Sequence, residues 1–199
     1  MTTPTYGALI LAGGKSERMN FPKPYLIFQD KTFLQKIIET YKKAGVKNIC
    51  LVINQNFCSG KWENDFEKIA PLITKIDKTD PDKGRFHSIK LGIKHFLNTD
   101  YVFIQNADNP FITNKIIKSL KRHRLAKGYT QLFCDGRKGH PILISKRIVN
   151  AINTEPDDEG NLRTILSGYP VTDLETENHK VLANINTTED YEKFIHTEQ

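Results

Sequence analysis

Short apolar runs alternate with longer amphipathic runs along the first two thirds of the chain. The apolar runs have the length of interior strands, which we predict at 7–12, 48–53, 72–77 and 101–105. The amphipathic runs place apolar residues three and four positions apart, which predicts helices at 32–45, 87–97 and 113–125 and a weaker one near 61–70. This order is typical of a mostly parallel sheet covered by helices on both faces.

The last third of the chain has a different pattern. The stretch TQLFCDGRKGHPILIS at 130–145 is typical of two strands joined by a polar turn, and 171–176 and 180–185 have the pattern of further short strands. We expect these segments to form a hairpin or a small subsheet at the edge of the sheet. Because no repeat, low-complexity tract or linker interrupts the chain, we predict one domain over 1–199.

The composition is that of an ordinary globular domain. Hydrophobic residues make up 38% of the 199 residues, which is enough for a core without covalent staples. The three cysteines Cys50, Cys58 and Cys134 form no CxxC pair, so their spacing indicates neither a disulfide framework nor a zinc site. An export signal and a run of about 18 apolar residues are both absent. We therefore expect a cytoplasmic protein with no membrane partner.

The net charge favours anionic partners without identifying them. The formal charge is +6, but the basic residues are dispersed, and in KTFLQKIIETYKKAGVK at 31–47 they are interspersed with glutamate. A lysine-rich solvated surface explains this distribution better than a nucleic-acid interface. We therefore expect no nucleic-acid partner.

The segment LILAGGKSERMNFPKP at 9–24 runs from an apolar strand directly into a loop of glycines, small hydroxyls and cations. Successive backbone N–H groups beside lysine and arginine bind phosphate oxygens, and in an open parallel sheet such a loop lies where ligands bind. A Walker loop would need glycine at position 9, which is leucine, and GxGxxG is absent. For AGGKS alone, an ordinary strand-to-helix turn is the alternative.

The spacing from LAGGKSERM to the following PK adds a more specific signal. It resembles the LA(A/G)GxSxRMGxxK motif of nucleotidyltransferases, specifically of the MobA/MocA-like group that contains the molybdenum cofactor cytidylyl- and guanylyltransferases. Asn20 stands where that family usually has glycine.

Four later segments extend the resemblance over nearly the whole chain. GRFHSIKLGI at 84–93 is similar to the family segment that lies against the nucleobase and ribose, and its arginine is similar to one in the cytidylyltransferase of isoprenoid synthesis. QNADNPF at 105–111 resembles the D-x-P segment whose aspartate holds magnesium. GRKGHPILIS at 136–145 resembles the G-H-P segment of the cytidylyltransferase branch, and NINTTEDYEKF at 184–194 is similar to a segment near the family's C-terminus.

The resemblance implies a three-layer α/β/α Rossmann-like fold of the nucleotide-diphospho-sugar transferase type. It also implies transfer of a nucleoside monophosphate from an NTP to a phosphate-bearing acceptor, with release of pyrophosphate. That chemistry needs charge neutralisation and alignment rather than an enzyme nucleophile. The implied catalytic residues are Arg18, Lys23 and Asp108, and the implied ligands of Mg²⁺ or Mn²⁺ are Asp108 and Asn186. The implied nucleotide-binding residues are Leu11, Ala12, Gly13, Gly14, Lys15, Ser16, Gly84 and Ser88.

Most of these residues also have a purely structural interpretation. Asp108 follows a predicted strand and precedes Asn-Pro, where an aspartate often caps a helix. Asn186 offers a metal an uncharged amide oxygen, or it simply lies in a turn before a helix that Thr187 or Thr188 caps. For each cation taken alone, a solvated surface position is the commoner one.

Three residues are candidates for binding the acceptor. His140 is expected to contact the acceptor or to pack in the site, because a dianionic phosphate nucleophile needs no general base. The stretch DDEGNLRTIL at 157–166 resembles the G-D-x-G-x-R segment of the cofactor-handling branch, which indicates Asp158 and Arg163. Its spacing is one residue longer than in that branch, and the leading glycine is absent.

The signals for the nucleotide conflict with one another. LAGG is more usual in the guanylyltransferase branch, whereas GHPILIS and SIKLGI favour the cytidylyltransferase branch, so we expect CTP ahead of GTP. The acceptor is expected to be a small phosphate-bearing molecule such as molybdopterin. Two rival functions are a sugar- or polyol-phosphate nucleotidylyltransferase and a nucleotide-binding protein in which asparagine at 184 and 186 has weakened catalysis.

Overall fold

The computed structural model describes residues 3–156 and 160–196. Within those ranges the strands are β1 (Tyr6–Ala12), β2 (Ile27–Phe28), β3 (Lys31–Thr32), β4 (Asn48–Asn54), β5 (Lys75–Thr79), β6 (Tyr101–Asn106), β7 (Tyr129–Cys134), β8 (Arg137–Ser145) and β9 (Val171–Glu175). The α-helices are α1 (Phe33–Lys43), α2 (Glu63–Ile69), α3 (Gly84–Ile93), α4 (Asn114–Arg122), α5 (Lys146–Thr154), α6 (Leu162–Ser167) and α7 (Thr188–His196). Single 3₁₀ turns connect several of them.

Seven strands form the main sheet, in the order β5-β4-β1-β6-β8-β7-β9. The strands from β5 to β6 are parallel, β8 runs antiparallel to both of its neighbours, and β7 and β9 are parallel again. This confirms the mostly parallel sheet. The chain moves outward from β1 to β5 and then returns to place β6 on the other side of β1, which creates a switch point where open sheets bind ligands.

Both faces of the sheet are buried, which explains the continuous apolar run in β1. Ala8 and Ile10 pack on the face that α1 and α4 cover, whereas Leu9 and Leu11 pack on the face that α3 and α5 cover. Adjacent residues of a strand point to opposite faces, so a strand between two helical layers needs apolar residues at every position. Three layers result, as the resemblance implies.

The structure corrects several predicted elements. The strand predicted at 180–185 is wrong, because His179–Leu182 forms a 3₁₀ turn in which the Asn178 side chain accepts a hydrogen bond from the Lys180 N–H. The predicted hairpin is confirmed as the antiparallel pair of β7 and β8, but it belongs to the main sheet, in which β9 is the edge strand. A small antiparallel sheet of β2 and β3, together with α5 and α6, has no counterpart in the sequence-based prediction. Among the described helices, none is long and apolar enough to cross a lipid bilayer.

Candidate active site

Two adjoining cavities of about 280 and 450 Å³ open at the carboxyl ends of β1 and β6. Four predicted residues line both cavities: Leu11, Gly14, Asp108 and Asn186. The first cavity adds Ala12, Lys15, Ser16, Arg18 and Lys23, and the second adds Gly13, Gly84, Ser88 and His140. Residues far apart in sequence, and predicted from separate segments, are therefore brought together at the switch point.

The loop after β1 is held by side chains that anchor its backbone. The buried Asn54 amide donates to the carbonyl of Gly14 at 3.2 Å, and the Lys23 N–H donates to the Ser16 hydroxyl at 3.2 Å. Ser16 and Asn20 adopt the left-handed conformation, with φ of 58° and 49°. Asparagine tolerates that conformation better than most residues, which explains how it replaces the family's glycine at position 20.

Gly13 is required by close packing between this loop and α3. A Cβ atom on Gly13 would lie 2.8 Å from the Thr79 methyl carbon and 2.9 Å from the Ser88 hydroxyl oxygen. The Ser88 hydroxyl is itself within hydrogen-bond distance of the Gly84 carbonyl, at 3.2 Å, one turn earlier in the helix. Ser88 therefore packs directly against Gly13 of the loop, in addition to lining the second cavity.

We expect Gly13→Ala to destabilise the protein by about 1–3 kcal/mol, because the added methyl overpacks this contact. Thr79→Ser and Ser88→Ala together remove the two clashing atoms and should restore most of the loss. Urea unfolding of the single and triple variants measures both effects. Gly14→Ala is the matched control, since no atom lies within 4 Å of a Cβ there. Equal losses in the Gly13 and Gly14 variants would contradict this explanation.

Asp108 lies immediately beyond β6, where the Ala107 N–H bonds the Leu11 carbonyl at 2.9 Å and joins the ends of β6 and β1. Its Oδ1 atom is buried and has no hydrogen-bond partner among the described residues. Burial raises the pKa of the Asp108 carboxyl, while the charges of Lys23 and Arg85 act against that rise. The helix-cap alternative is wrong, because Thr113 caps α4.

A buried carboxylate oxygen without a partner is the type of ligand that Mg²⁺ and Mn²⁺ prefer. Asp108 therefore fits the divalent cation that the resemblance implies. A bound cation would satisfy the oxygen that the protein leaves without a hydrogen bond. It would also favour the charged carboxylate that burial opposes.

Lys23 and Asn186 meet across the first cavity. The Lys23 ammonium donates to the Asn186 side-chain oxygen at 2.7 Å, and burial lowers the Lys23 pKa although nearby Asp108 opposes this. Asn186 also lies in the turn before α7, where its backbone N–H and that of Thr187 donate to the Asp190 carboxylate. The Thr187 hydroxyl accepts in return from the Asp190 N–H at 3.2 Å, so the predicted cap is confirmed.

Arg85 is a site residue that is not among the candidates predicted from the sequence. It lines the second cavity, and its guanidinium donates to the Asn106 side chain at 3.1 Å. The sequence feature that could have indicated Arg85 is its position three residues before Ser88, where the cytidylyltransferase of isoprenoid synthesis has a similar arginine. Asn106 and Asn184 line the same cavity. Asn106 was missed, because asparagine beside a strand end is a common turn residue. Asn184 was considered only as a replacement that weakens catalysis.

His140 lines the second cavity and is partly buried. Its Nδ1 atom has no hydrogen-bond partner among the described residues. Burial and the nearby charge of Arg85 lower its pKa to about 4, so the ring is neutral at pH 7. A neutral imidazole offers both a donor and an acceptor to a bound molecule.

The lowered pKa of His140 should make folding stability depend on pH. Between about pH 6.5 and 4 the unfolded chain binds a proton that the folded protein does not, so stability falls as the pH falls. At about 1.4 kcal/mol per pKa unit, we expect a loss of about 2 kcal/mol between pH 7 and pH 5. Asp108 contributes with the opposite sign because its pKa is raised. Urea unfolding of wild type and His140→Gln isolates the histidine, and parallel pH profiles would contradict the prediction.

Two predicted residues, Lys15 and Arg163, differ in position from the other described candidates. Lys15 lines the first cavity but forms ion pairs with Asp82 and Glu17 at the exposed rim. Arg163 is exposed in the first turn of α6 and lines neither cavity, because α6 packs through Leu162, Ile165 and Leu166 against the sheet side that α5 covers. Asp158 lies outside the described residues.

The family model of the MobA-like NTP transferase domain matches residues 8–176. The chain belongs to this family. The match confirms the resemblance drawn from the loop and the later segments, and this MobA-like NTP transferase is accordingly a nucleotidyltransferase. The matched range includes the loop after β1, the start of α3 and Asp108, whereas Asn186 lies beyond it.

Two curated relatives of this MobA-like NTP transferase differ in their named activities. The probable molybdenum cofactor guanylyltransferase of Flavobacterium johnsoniae is 28% identical over 193 residues, which is 94% of each chain. The bifunctional enzyme IspD/IspF of Wolbachia pipientis wMel is 30% identical over 131 residues, which covers 62% of this chain and 32% of that protein.

Among solved structures, the fold matches Rv0371c from Mycobacterium tuberculosis H37Rv with a TM-score of 0.79 and 20% identity, covering 98% of this chain and 99% of that one. A second structure of Rv0371c, in complex with manganese, matches with a TM-score of 0.76 and 17% identity, covering 98% and 100% of the two chains. At this level of identity the likeness shows the fold alone.

Proposed function

We propose that this protein transfers a nucleoside monophosphate from an NTP to a small phosphate-bearing acceptor, with CTP favoured over GTP, and releases pyrophosphate. The observation that carries the proposal is the position of Asp108. Its buried carboxylate oxygen, without a hydrogen-bond partner among the described residues, lies where two cavities adjoin. One cavity is lined by the cationic loop after β1, and the other is lined by Arg85 and neutral polar groups.

The first cavity is assigned to the triphosphate. Arg18 and the backbone from Gly13 to Ser16 bind the β- and γ-phosphates, and Lys23 binds the α-phosphate. Gly84 and Ser88 at the start of α3 lie on the side of the base and ribose. These roles agree with the chemistry of the groups, since backbone N–H groups and cations bind phosphate oxygens without an acceptor of their own.

Asp108 and Asn186 are assigned to hold Mg²⁺, or Mn²⁺ in its place, and the manganese complex of Rv0371c supports a divalent cation in this fold. When bound, the cation supplies charge neutralisation and alignment for the phosphates. A phosphate oxygen of the acceptor attacks the α-phosphorus, and the bond from that phosphorus to the pyrophosphate oxygen breaks. Lys23 stabilises the negative charge on the α-phosphate oxygens during this exchange.

The preference for CTP rests on the later sequence segments. Gly13 is the residue of LAGG that is more usual in the guanylyltransferase branch. In this chain packing alone explains a glycine at that position, because Thr79 and Ser88 occupy the space that a Cβ atom would need. That glycine therefore carries less weight than the segments at 84–93 and 136–145. GTP is the second candidate, because the relative from Flavobacterium johnsoniae is named a guanylyltransferase.

A sugar- or polyol-phosphate acceptor is the alternative to molybdopterin. The second cavity presents the amides of Asn106 and Asn184 and the neutral ring of His140, which are groups that bind hydroxyls as well as heterocycles. Arg85 supplies the charge for an acceptor phosphate in either case.

The nucleotide is tested by thermal shift with CTP, GTP, ATP and UTP at a fixed Mg²⁺ concentration. A ligand that binds only the folded protein raises Tm by mass action, so the comparison requires no acceptor. We expect the largest rise with CTP and its loss without Mg²⁺. A larger rise with GTP would reassign the base. Equal rises independent of Mg²⁺ would favour a catalytically weak binding protein, and pyrophosphate release with molybdopterin or a polyol phosphate would contradict that reading.

A further inference from the structure

Three side chains of the types that ligate metals, Cys50, Asp77 and His95, lie together outside both active-site cavities. Their ligand atoms all lie within 4.8 Å of one another. The His95 Nε2 atom is 2.8 Å from the Asp77 Oδ2 atom, and the Cys50 Sγ atom is 3.9 Å from the same oxygen. The nucleotidyl-transfer chemistry uses none of these three residues.

The fold itself brings the three side chains together. In the register of β4 and β5, Cys50 pairs with Lys75, and Asp77 lies two residues further along β5, so Cys50 and Asp77 face the same side of the sheet. Helix α3 covers that side at close range, because a Cβ on Gly92 would lie 2.4 Å from a Leu9 methyl. The turn that follows α3 then carries His95 to the carboxylate.

The site is mostly buried and still reached from solvent. Cys50 is fully buried, whereas the side chains of Asp77 and His95 are 17% and 23% exposed. Burial and the Asp77 charge raise the pKa of the Cys50 thiol to about 12, while Lys94 and Lys75 act in the opposite direction. A metal ion reverses this balance, because it binds the thiolate and releases the proton.

We propose that Cys50, Asp77 and His95 bind one Zn²⁺ ion, with water as the fourth ligand. Thiolate, imidazole and carboxylate are the ligands of protein zinc sites, and three protein ligands plus water is a recurring set. Tetrahedral bonds of about 2.0–2.3 Å separate the ligand atoms by roughly 3.3–3.8 Å. The Cys50 and Asp77 atoms are already at about that separation, and the imidazole needs to move less than about 1 Å from the carboxylate to admit the ion.

This ion would tie the edge strand β5 to the end of α3. The N-terminal half of the same helix carries Gly84, Arg85 and Ser88 of the active site. No zinc site is predicted from the sequence, because Cys50, Asp77 and His95 lie far apart along the chain and match no ligand spacing.

Another cluster of the same residue types serves as an internal comparison. Cys134, Asp135 and His179 also place their ligand atoms within 4.8 Å of one another. The side chains of Asp135 and His179 are 58% and 71% exposed, so they are far less fixed than their counterparts beside Cys50. Ordering exposed side chains around an ion costs conformational entropy, which favours the buried cluster.

The experiment adds one equivalent of Co²⁺ to metal-free full-length protein and records the thiolate-to-cobalt charge-transfer band in the near ultraviolet. We expect the band in wild type, in Cys134→Ser and in Cys58→Ser, and its loss in Cys50→Ser and His95→Gln. Zn²⁺ should abolish the band and raise Tm in the proteins that show it. Asp108→Asn should keep the band, so failure of the nucleotide site and failure of this site are distinguishable.

Three results would overturn the proposal: no band in wild type, a band that persists in Cys50→Ser, or a band lost in Cys134→Ser instead. Far-ultraviolet circular dichroism of the metal-free variants checks folding. His95→Gln keeps the test valid if Cys50→Ser does not fold, because it changes a partly exposed side chain and leaves the buried thiol in place.

Discussion

Asp108→Asn is expected to lower the rate of nucleotidyl transfer by about 10²–10³-fold while raising the Tm of the free protein. The rate falls because the amide keeps the shape of the carboxylate but loses the charge assigned to the divalent cation. The Tm rises because burial opposes ionisation of this carboxyl. An uncharged side chain of the same shape removes the free-energy cost of burying that charge. Pyrophosphate release measures the first effect, and thermal unfolding without metal measures the second.

Mn²⁺ affinity in the presence of CTP, followed by electron paramagnetic resonance of the free ion, provides a readout that does not need the acceptor. Asp82→Asn is the matched control, because Asp82 is an exposed carboxylate at the rim of the site, paired with Lys15. We expect weaker Mn²⁺ binding in the Asp108 variant and little change in the control. A lower Tm with unchanged Mn²⁺ affinity would show that Asp108 has a structural role instead.

The parallel half of the fold could be predicted from sequence because burial on both faces leaves a clear pattern there. β1, β4 and β6 are near-continuous apolar runs, and their predicted limits differ from the observed ones by one residue. The third predicted strand, at 72–77, is displaced from the observed Lys75–Thr79. β5 is an edge strand with a half-exposed pattern, so its limits depend on pairing with β4 rather than on its own residues.

The C-terminal part was harder to predict because its structure depends on long-range contacts. The segment at 180–185 is apolar enough for a strand, yet the Asn109 side chain donates to the carbonyls of Lys180 and Val181. Those hydrogen bonds take the place of strand pairing. Ile185 then donates its N–H to the Asp108 carbonyl at 2.9 Å, which brings Asn186 to the site. The position of Asn186 in the site could be predicted only from the family resemblance of the segment at 184–194, and not from the local hydrophobic pattern.

The candidate site shows the same division between local and long-range information. The residues of the loop after β1 and Asp108 follow strand ends, so the rule for open parallel sheets predicts that they meet. Arg85, Asn106 and Asn184 converge only when α3 and the segment after Val181 pack over the sheet. The contact between Lys23 and Asn186 joins positions 163 residues apart and has no local signal at all.

Lys23→Met is expected to reduce kcat by about 10²–10³-fold with a smaller effect on NTP binding. The methionine keeps the apolar stem and removes the ammonium assigned to the α-phosphate, where charge changes during transfer. Other cations in the first cavity still bind the β- and γ-phosphates, so the rate should fall more than the affinity. Burial lowers the Lys23 pKa, so replacement by an uncharged side chain should leave Tm unchanged or raised.

Lys15→Met is the matched control, because Lys15 lines the same cavity but is 46% exposed and paired with Asp82. We expect it to change NTP affinity more than kcat. Lys23→Arg should recover part of the NTP affinity but little of kcat. A planar guanidinium does not reproduce the 2.7 Å hydrogen bond that the Lys23 ammonium donates to Asn186. If Lys15→Met instead lowers kcat more than Lys23→Met, the α-phosphate lies nearer the rim and the two cations exchange their assigned roles.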